Sequence, residues 1–116
     1  MKTKSIATLR RKADKLFQIA FIKQNPYCLV CGKPTNCGHH YVPKSQSNNL
    51  RYVMKNMVPL CMGCHFRHHT TGDPMIVETI LKVKGKEWAD DLRTKRRIPC
   101  KLNKTFLSEV IGNLLE

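Results

Sequence analysis

Apolar positions recur every three or four residues near the start of the chain, at Ile6, Leu9, Ala13, Leu16, Phe17, Ala20 and Phe21. That period predicts an amphipathic helix over about residues 5 to 24, with Arg10, Arg11, Lys12 and Lys15 between the apolar positions and Pro26 just past its end. The period then vanishes. Residues 27 to 72 mix irregular polar stretches with short apolar runs, a composition that would struggle to fold by burial alone. Helical signals return at Asp73, an N-cap followed by Pro74 at the first helical position, with Met75, Ile76, Ile80 and Val83 as the apolar face and Gly85 as the stop. A short helix is expected around Trp88 to Arg97. After Pro99, the spacing of Phe106, Leu107, Val110, Ile111, Leu114 and Leu115 predicts a last helix from about 104 to 115, packed back on the first. No internal repeat or low-complexity stretch interrupts this order.

A length of 116 residues suits one domain, residues 1 to 116, with a modest core that benefits from a staple such as a metal. No apolar run is long enough for a signal peptide or a membrane span, so a soluble, cytoplasmic protein is expected, with its cysteines reduced and available as ligands. The 21 Lys and Arg against 8 Asp and Glu leave a net charge of +13. Such an excess is the electrostatic footprint of a nucleic-acid partner.

The middle zone carries the chemistry: residues 28 to 69 hold all five histidines and five of the six cysteines. Cys28-Leu-Val-Cys31 and Cys61-Met-Gly-Cys64 are two CxxC pairs with 29 residues between them. A two-residue gap turns both thiolates of a pair toward one ion, Gly32 permits the tight turn after the first pair, and four thiolates satisfy tetrahedral zinc. Such a site has no open position, so it builds structure and does no chemistry. Cys37 and Cys100 are left over and read as small core residues.

The histidines need a separate purpose. His39 and His40 fall on an expected short strand, where adjacent side chains face opposite ways and can serve two tasks. His65 follows the second cysteine pair, and His69, four residues on, projects from the same face of a helix; His68 shares that face more loosely.

The order His39-His40, then Asn56 sixteen residues after His40, then His65 nine residues after Asn56, resembles the HNH or ββα-metal nuclease motif. The likeness covers about residues 28 to 72, cysteine pairs included. It implies a small α+β fold, a ββα-metal core stapled by the zinc site and flanked by N- and C-terminal helices. By the same resemblance His40 is the general base, and His39 and His65 with His69 hold one catalytic divalent ion, of the kind Mg²⁺, Mn²⁺, Co²⁺, Ni²⁺ or Zn²⁺, His68 remaining the alternative third ligand. Asn56 would pin the loop beneath the strand of His40, and the products would be 5′-phosphate and 3′-hydroxyl ends. Lys44, Arg51, Lys55 and Arg67 flank the motif as candidates for phosphate contacts, although Arg51 is also placed for a structural hydrogen bond. The run "TKRR", residues 94 to 97, fits a grip on DNA outside the site as well as a solvated face.

The stretches "LRRKADKLFQ", "CLVCGKP", "GHHY", "LRYVMKN" and "TGDPMIVETILKVKGKEWADDL" are together similar to the phage NinG or Rap recombination nucleases, which act on branched DNA. That likeness implies a DNA substrate of branched form, the host cytoplasm as the location, and a homodimer where two cuts are needed. This chain departs from the pattern by the extra His39 and by His65 where those proteins carry asparagine. Two other readings share the cysteine pairs: a catalytically silent zinc-stapled DNA-binding module, and a zinc-dependent protein-interaction domain. Neither has a use for His40.

Overall fold

The computed structural model describes residues 4 to 116. Among them are helix α1 (Ile6–Gln24), strands β1 (Cys37–His40) and β2 (Met57–Leu60), and a short helix α2 (Met62–Phe66) that widens into a π-helical turn (Arg67–Thr71). Three helices follow, α3 (Pro74–Lys84), α4 (Lys86–Lys95) and α5 (Lys104–Leu115). The result is a small α+β fold whose two strands pair antiparallel, with His39 opposite Val58 and His40 opposite Met57. No helix among the described residues is long and apolar enough to cross a membrane.

The helices expected from periodicity form, each with a cap that explains its start. Ser5, Asp73 and Asn103 accept a backbone N–H from Thr8, Met75 and Phe106, which satisfies a donor that the first turn leaves free. The helix expected around Trp88 to Arg97 begins earlier, at Lys86, because Gly85 at φ 95° breaks the chain between α3 and α4 in a single residue. Ala13 of α1 meets Leu107 and Ile111 of α5, so the two ends of the chain pack together. Phe17 and Phe21, one turn further along α1, cover Met57 of β2.

The middle zone has its own core. Val58 and Leu60 of β2 pack with Cys28, Cys61 and Cys64, and Ile76 and Ile80 of α3 close over them. The thiols of Cys28, Cys31, Cys61 and Cys64 lie within 4.8 Å of one another, and those of Cys31 and Cys61 are 3.5 Å apart. Four thiolates at about 2.3 Å from one zinc ion would stand roughly 3.8 Å apart, so the set fits that ion. Gly32 at φ 75° makes the turn after the first pair, and Cys61 caps α2, its sulfur accepting the N–H of Cys64. Cys37 lies on β1 against this core but outside the set, its thiol 3.6 Å from the Leu60 carbonyl. Cys100 is half-buried in the segment before α5.

The loop between the strands is tied to α1 by one polar network. Arg51 donates twice to the Asp14 carboxylate, at 2.9 and 2.6 Å, and the Tyr52 hydroxyl donates to the same group at 2.8 Å. Burial works to raise the Asp14 pKa, but the bonds from Arg51 and Tyr52 outweigh it and hold the carboxyl below the ordinary 3.8. A carboxyl depressed in the folded state stabilises it above that unfolded value and ceases to do so as pH falls through the folded pKa. Asp14→Asn should therefore cost about 2 kcal/mol near neutral pH and flatten the acid side of the stability curve. Chemical denaturation from pH 3 to pH 7 checks this; two parallel curves would refute it.

The cysteine set leads to a second expectation, one tightly held zinc ion per chain. Cys61→Ser should lose that ion and expose the amides of residues 28 to 64 to rapid hydrogen exchange, because the metal's binding energy is folding energy here. Elemental analysis showing a folded, zinc-free wild-type protein would contradict the assignment.

Candidate functional site

Strand β1 sends its two histidines to different neighbours. His39, 7% exposed, faces the end of α2 and the π-helical turn, where its ring centroid lies 5.5, 4.7 and 5.2 Å from those of His65, His68 and His69. The donor atoms of His39, His65 and His69 all come within 4.8 Å of one another. A plain α-helix over the HxxxH spacing was the expectation; instead the helix widens at Arg67, and Gly72 at φ 62° ends the turn. Wide turns of this kind recur at functional sites because they redirect side chains without ending a helix. Here His68 is turned toward His39 as well. His69 completes the convergent set, whereas the His68 Nδ1 is buried with no hydrogen-bond partner.

Burial and the neighbouring imidazoles of His68, His65, His69 and His40 push the His39 pKa down to about 3. Burial, then His69 and His68, also lower His65. Neutral imidazoles offer the lone pair that a metal ion takes, so the cluster suits a divalent cation despite the basic chain. Three ligands would leave positions open on such an ion, whereas four thiolates would close the sphere of a zinc ion.

His40 packs beside Phe17, and its Nε2 lies 3.0 Å from the Arg51 carbonyl. A carbonyl only accepts, so Nε2 carries the proton and Nδ1 keeps the free lone pair. Burial lowers its pKa; the Arg51 carbonyl opposes that, while Lys44 and the Arg51 guanidinium add to it. A cavity of about 350 Å³ is lined by His39, His40, His65 and His69 together with Lys44 and Gln18. One space thus meets the metal-suited cluster and a neutral imidazole with its proton acceptor free.

Asn56 is fully buried under the loop. Its Oδ1 accepts from Val42 N–H at 2.9 Å, and its Nδ2 donates to the Val42 and Leu50 carbonyls at 3.0 and 3.3 Å. Every polar position of that amide is used in closing the loop that follows His40.

Two residues that periodicity could not single out hold β1 in place. Gln18 of α1 brackets Gly38, its Oε1 accepting the Gly38 N–H at 2.7 Å and its Nε2 donating to the Gly38 carbonyl at 2.9 Å. The side chain substitutes for a missing neighbouring strand, next to both histidines. Gly38 has to lack a Cβ, because one would come within 2.7 Å of Met57 and Phe21 side-chain atoms. In the sequence Gln18 is an ordinary polar helix position, and only the fold reveals its partner.

The four flanking cations separate. Lys44 lines the histidine cavity. Arg51 is engaged by Asp14, Lys55 pairs with Asp91 at 2.8 Å, and Arg67 donates to the Cys64 sulfur at 3.2 Å. Each of those three thus has an internal partner, whereas Lys44 faces the cavity.

Comparison with curated proteins and with solved structures found no match. A family model, HNH endonuclease, matches residues 28–71. That span takes in both cysteine pairs, both strands, Asn56 and all five histidines, and leaves α1, α3, α4 and α5 outside. The segment that builds the site is therefore similar in sequence to the HNH endonuclease family.

Proposed function

We propose that the protein is a metal-dependent endonuclease that hydrolyses DNA phosphodiesters. The observation that carries this reading is the shared cavity, in which three imidazoles with converging donor atoms face a fourth whose Nδ1 is free. His39, His65 and His69 would hold a divalent ion. Such an ion polarises a phosphate oxygen and offsets the charge that develops on the departing 3′ oxygen. His40 takes a proton from the attacking water at Nδ1, a task suited to an imidazole that is neutral at physiological pH. The Arg51 carbonyl fixes its tautomer, and Asn56 fixes the loop that carries Arg51. Lys44 meets the phosphate from the cavity wall. The net charge of +13 supplies the general attraction to a polyanion. The products are 5′-phosphate and 3′-hydroxyl ends, and branched recombination intermediates are the proposed substrates.

His40→Ala should reduce cleavage by about 10²- to 10⁴-fold while DNA binding and both metals are retained. His39→Ala and His65→Ala should lose activity by a different route, weakened binding of the second metal, and excess Mn²⁺, Co²⁺, Ni²⁺ or Zn²⁺ should restore that pair only. Labelled four-way junctions, flaps, single strands and linear duplexes, incubated with each ion, report the rates and the preferred substrate. Wild-type cleavage by His40→Ala under every ion would remove the proposed base and leave a silent DNA-binding module as the better reading.

A further inference from the structure

A second cavity, of about 240 Å³, adjoins the first and shares His39 and Pro43 with it. Its polar lining comes from Tyr41, Gln46, His68, Arg93 and Arg96, and no Asp or Glu is among its walls. We propose that this cavity receives a phosphodiester of the bound DNA strand neighbouring the one that is cut, with Arg93 and Arg96 as its anion-binding groups. The proposal rests on the nuclease reading of the first cavity for its register, and it adds a contact that the matched segment does not contain, since both arginines lie beyond residue 71.

Two features separate these arginines from wet surface charge. The first is that their helix is held in a fixed position: Leu92 is fully buried, Trp88 donates to the Lys55 carbonyl at 2.8 Å, and Asp91 pairs with Lys55. Trp88 also packs on Tyr41, one residue beyond His40, with ring centroids 4.7 Å apart. Arg93, and Arg96 directly after the helix, are thus carried to the cavity that borders His39 by a braced element.

The second feature is the weakness of their internal partners. Arg93 reaches Asp90 only at 3.4 Å and Tyr41 Oη only at 3.3 Å, against 2.6 and 2.9 Å for Arg51 on Asp14. Arg96 makes no side-chain hydrogen bond or ion pair among the described residues. Two arginines line a cavity with no carboxylate in its walls, a cationic setting that an anion would neutralise. Phosphate matches the fork of N–H donors that arginine presents. A nucleic-acid strand carries phosphates at a regular repeat, so a group seated at the histidine cluster brings a neighbouring one to the adjoining space. A free phosphate ion has the same chemistry without the strand, and the two sources are separable.

The experiment measures binding, so it does not depend on turnover. His40→Ala protein with Mn²⁺ is titrated with duplex DNA over a range of salt, alone and combined with Arg93→Gln/Arg96→Gln. The slope of log affinity against log salt should fall by about 0.9, one phosphate contact, while Arg93→Lys/Arg96→Lys keeps the parent slope. Arg93 is more than half exposed, and circular dichroism verifies that each variant is folded. Duplexes with one neutral methylphosphonate beside the cut linkage should bind the parent several-fold more weakly and the Gln/Gln variant no more weakly than unmodified DNA. Unchanged slope and unchanged methylphosphonate response in the Gln/Gln variant would overturn the proposal. So would a His68 NMR shift on adding inorganic phosphate that the Gln/Gln variant abolishes with no change in DNA binding, which would assign the cavity to a free anion. If the wild-type protein cuts no DNA yet the slope still falls, the phosphate contact stands and the nuclease reading fails.

Discussion

Four thiols drawn within 4.8 Å of one another join the turn at residues 28 to 33 to the first turn of helix α2, and the placement of the histidines follows from that junction. Cys61 caps the helix, Cys64 lies one turn in, and His65 comes directly after it, so a metal that fixes the sulfurs also fixes the direction in which His65 leaves the backbone. Strand β2 ends at Leu60, beside the same cluster, and its pairing sets His39 opposite Val58. Val58 and Leu60 bury beside the same sulfurs, and a closed coordination sphere there would add a constraint that the short strands and turns lack. The histidine cluster thus takes part of its geometry from the neighbouring cysteine set.

A different interaction orients His40. The Arg51 guanidinium donates to Asp14 of α1, and the Arg51 carbonyl accepts a hydrogen bond from His40 Nε2–H. One residue thereby connects a half-buried ion pair to the tautomer of a neighbouring imidazole.

Helix positions were legible because apolar spacing, caps and Gly85 are local signals, and the segment around 104 to 115 forms with the bounds its pattern indicated. The convergence of the four cysteines was legible for another reason, since paired CxxC spacing restricts residue type and position at once. The π-helical turn was not. An HxxxH spacing is compatible with an α-helix, and nothing in the run from Arg67 to Thr71 distinguishes a wide turn from a regular one. Gln18 was equally hidden, because a side-chain amide that completes a strand edge has no sequence pattern; neither did the pairings of Lys55 with Asp91 and of Arg51 with Asp14, which span 36 and 37 residues.

The matched segment is not an independent unit in this chain. Residues 28–71 leave β1 with a bare edge, and it is Gln18, from α1, that covers it at Gly38. Helix α1 is in turn seated by α5 through Ala13, Leu107 and Ile111. On the other side Ile76 and Ile80 of α3 close the core around the cysteines, and α4 braces the loop of Asn56 through Trp88 and Lys55. Helices α1, α3 and α4 therefore each contact a different side of the histidine site, and α5 supports it through α1. The net positive charge has the same distribution: Lys44 sits in the cavity of the matched segment, while Arg93 and Arg96, which face its neighbour, come from outside it. A site assembled in this way can keep its chemistry in a short motif while the helices around it decide which nucleic-acid shape reaches it.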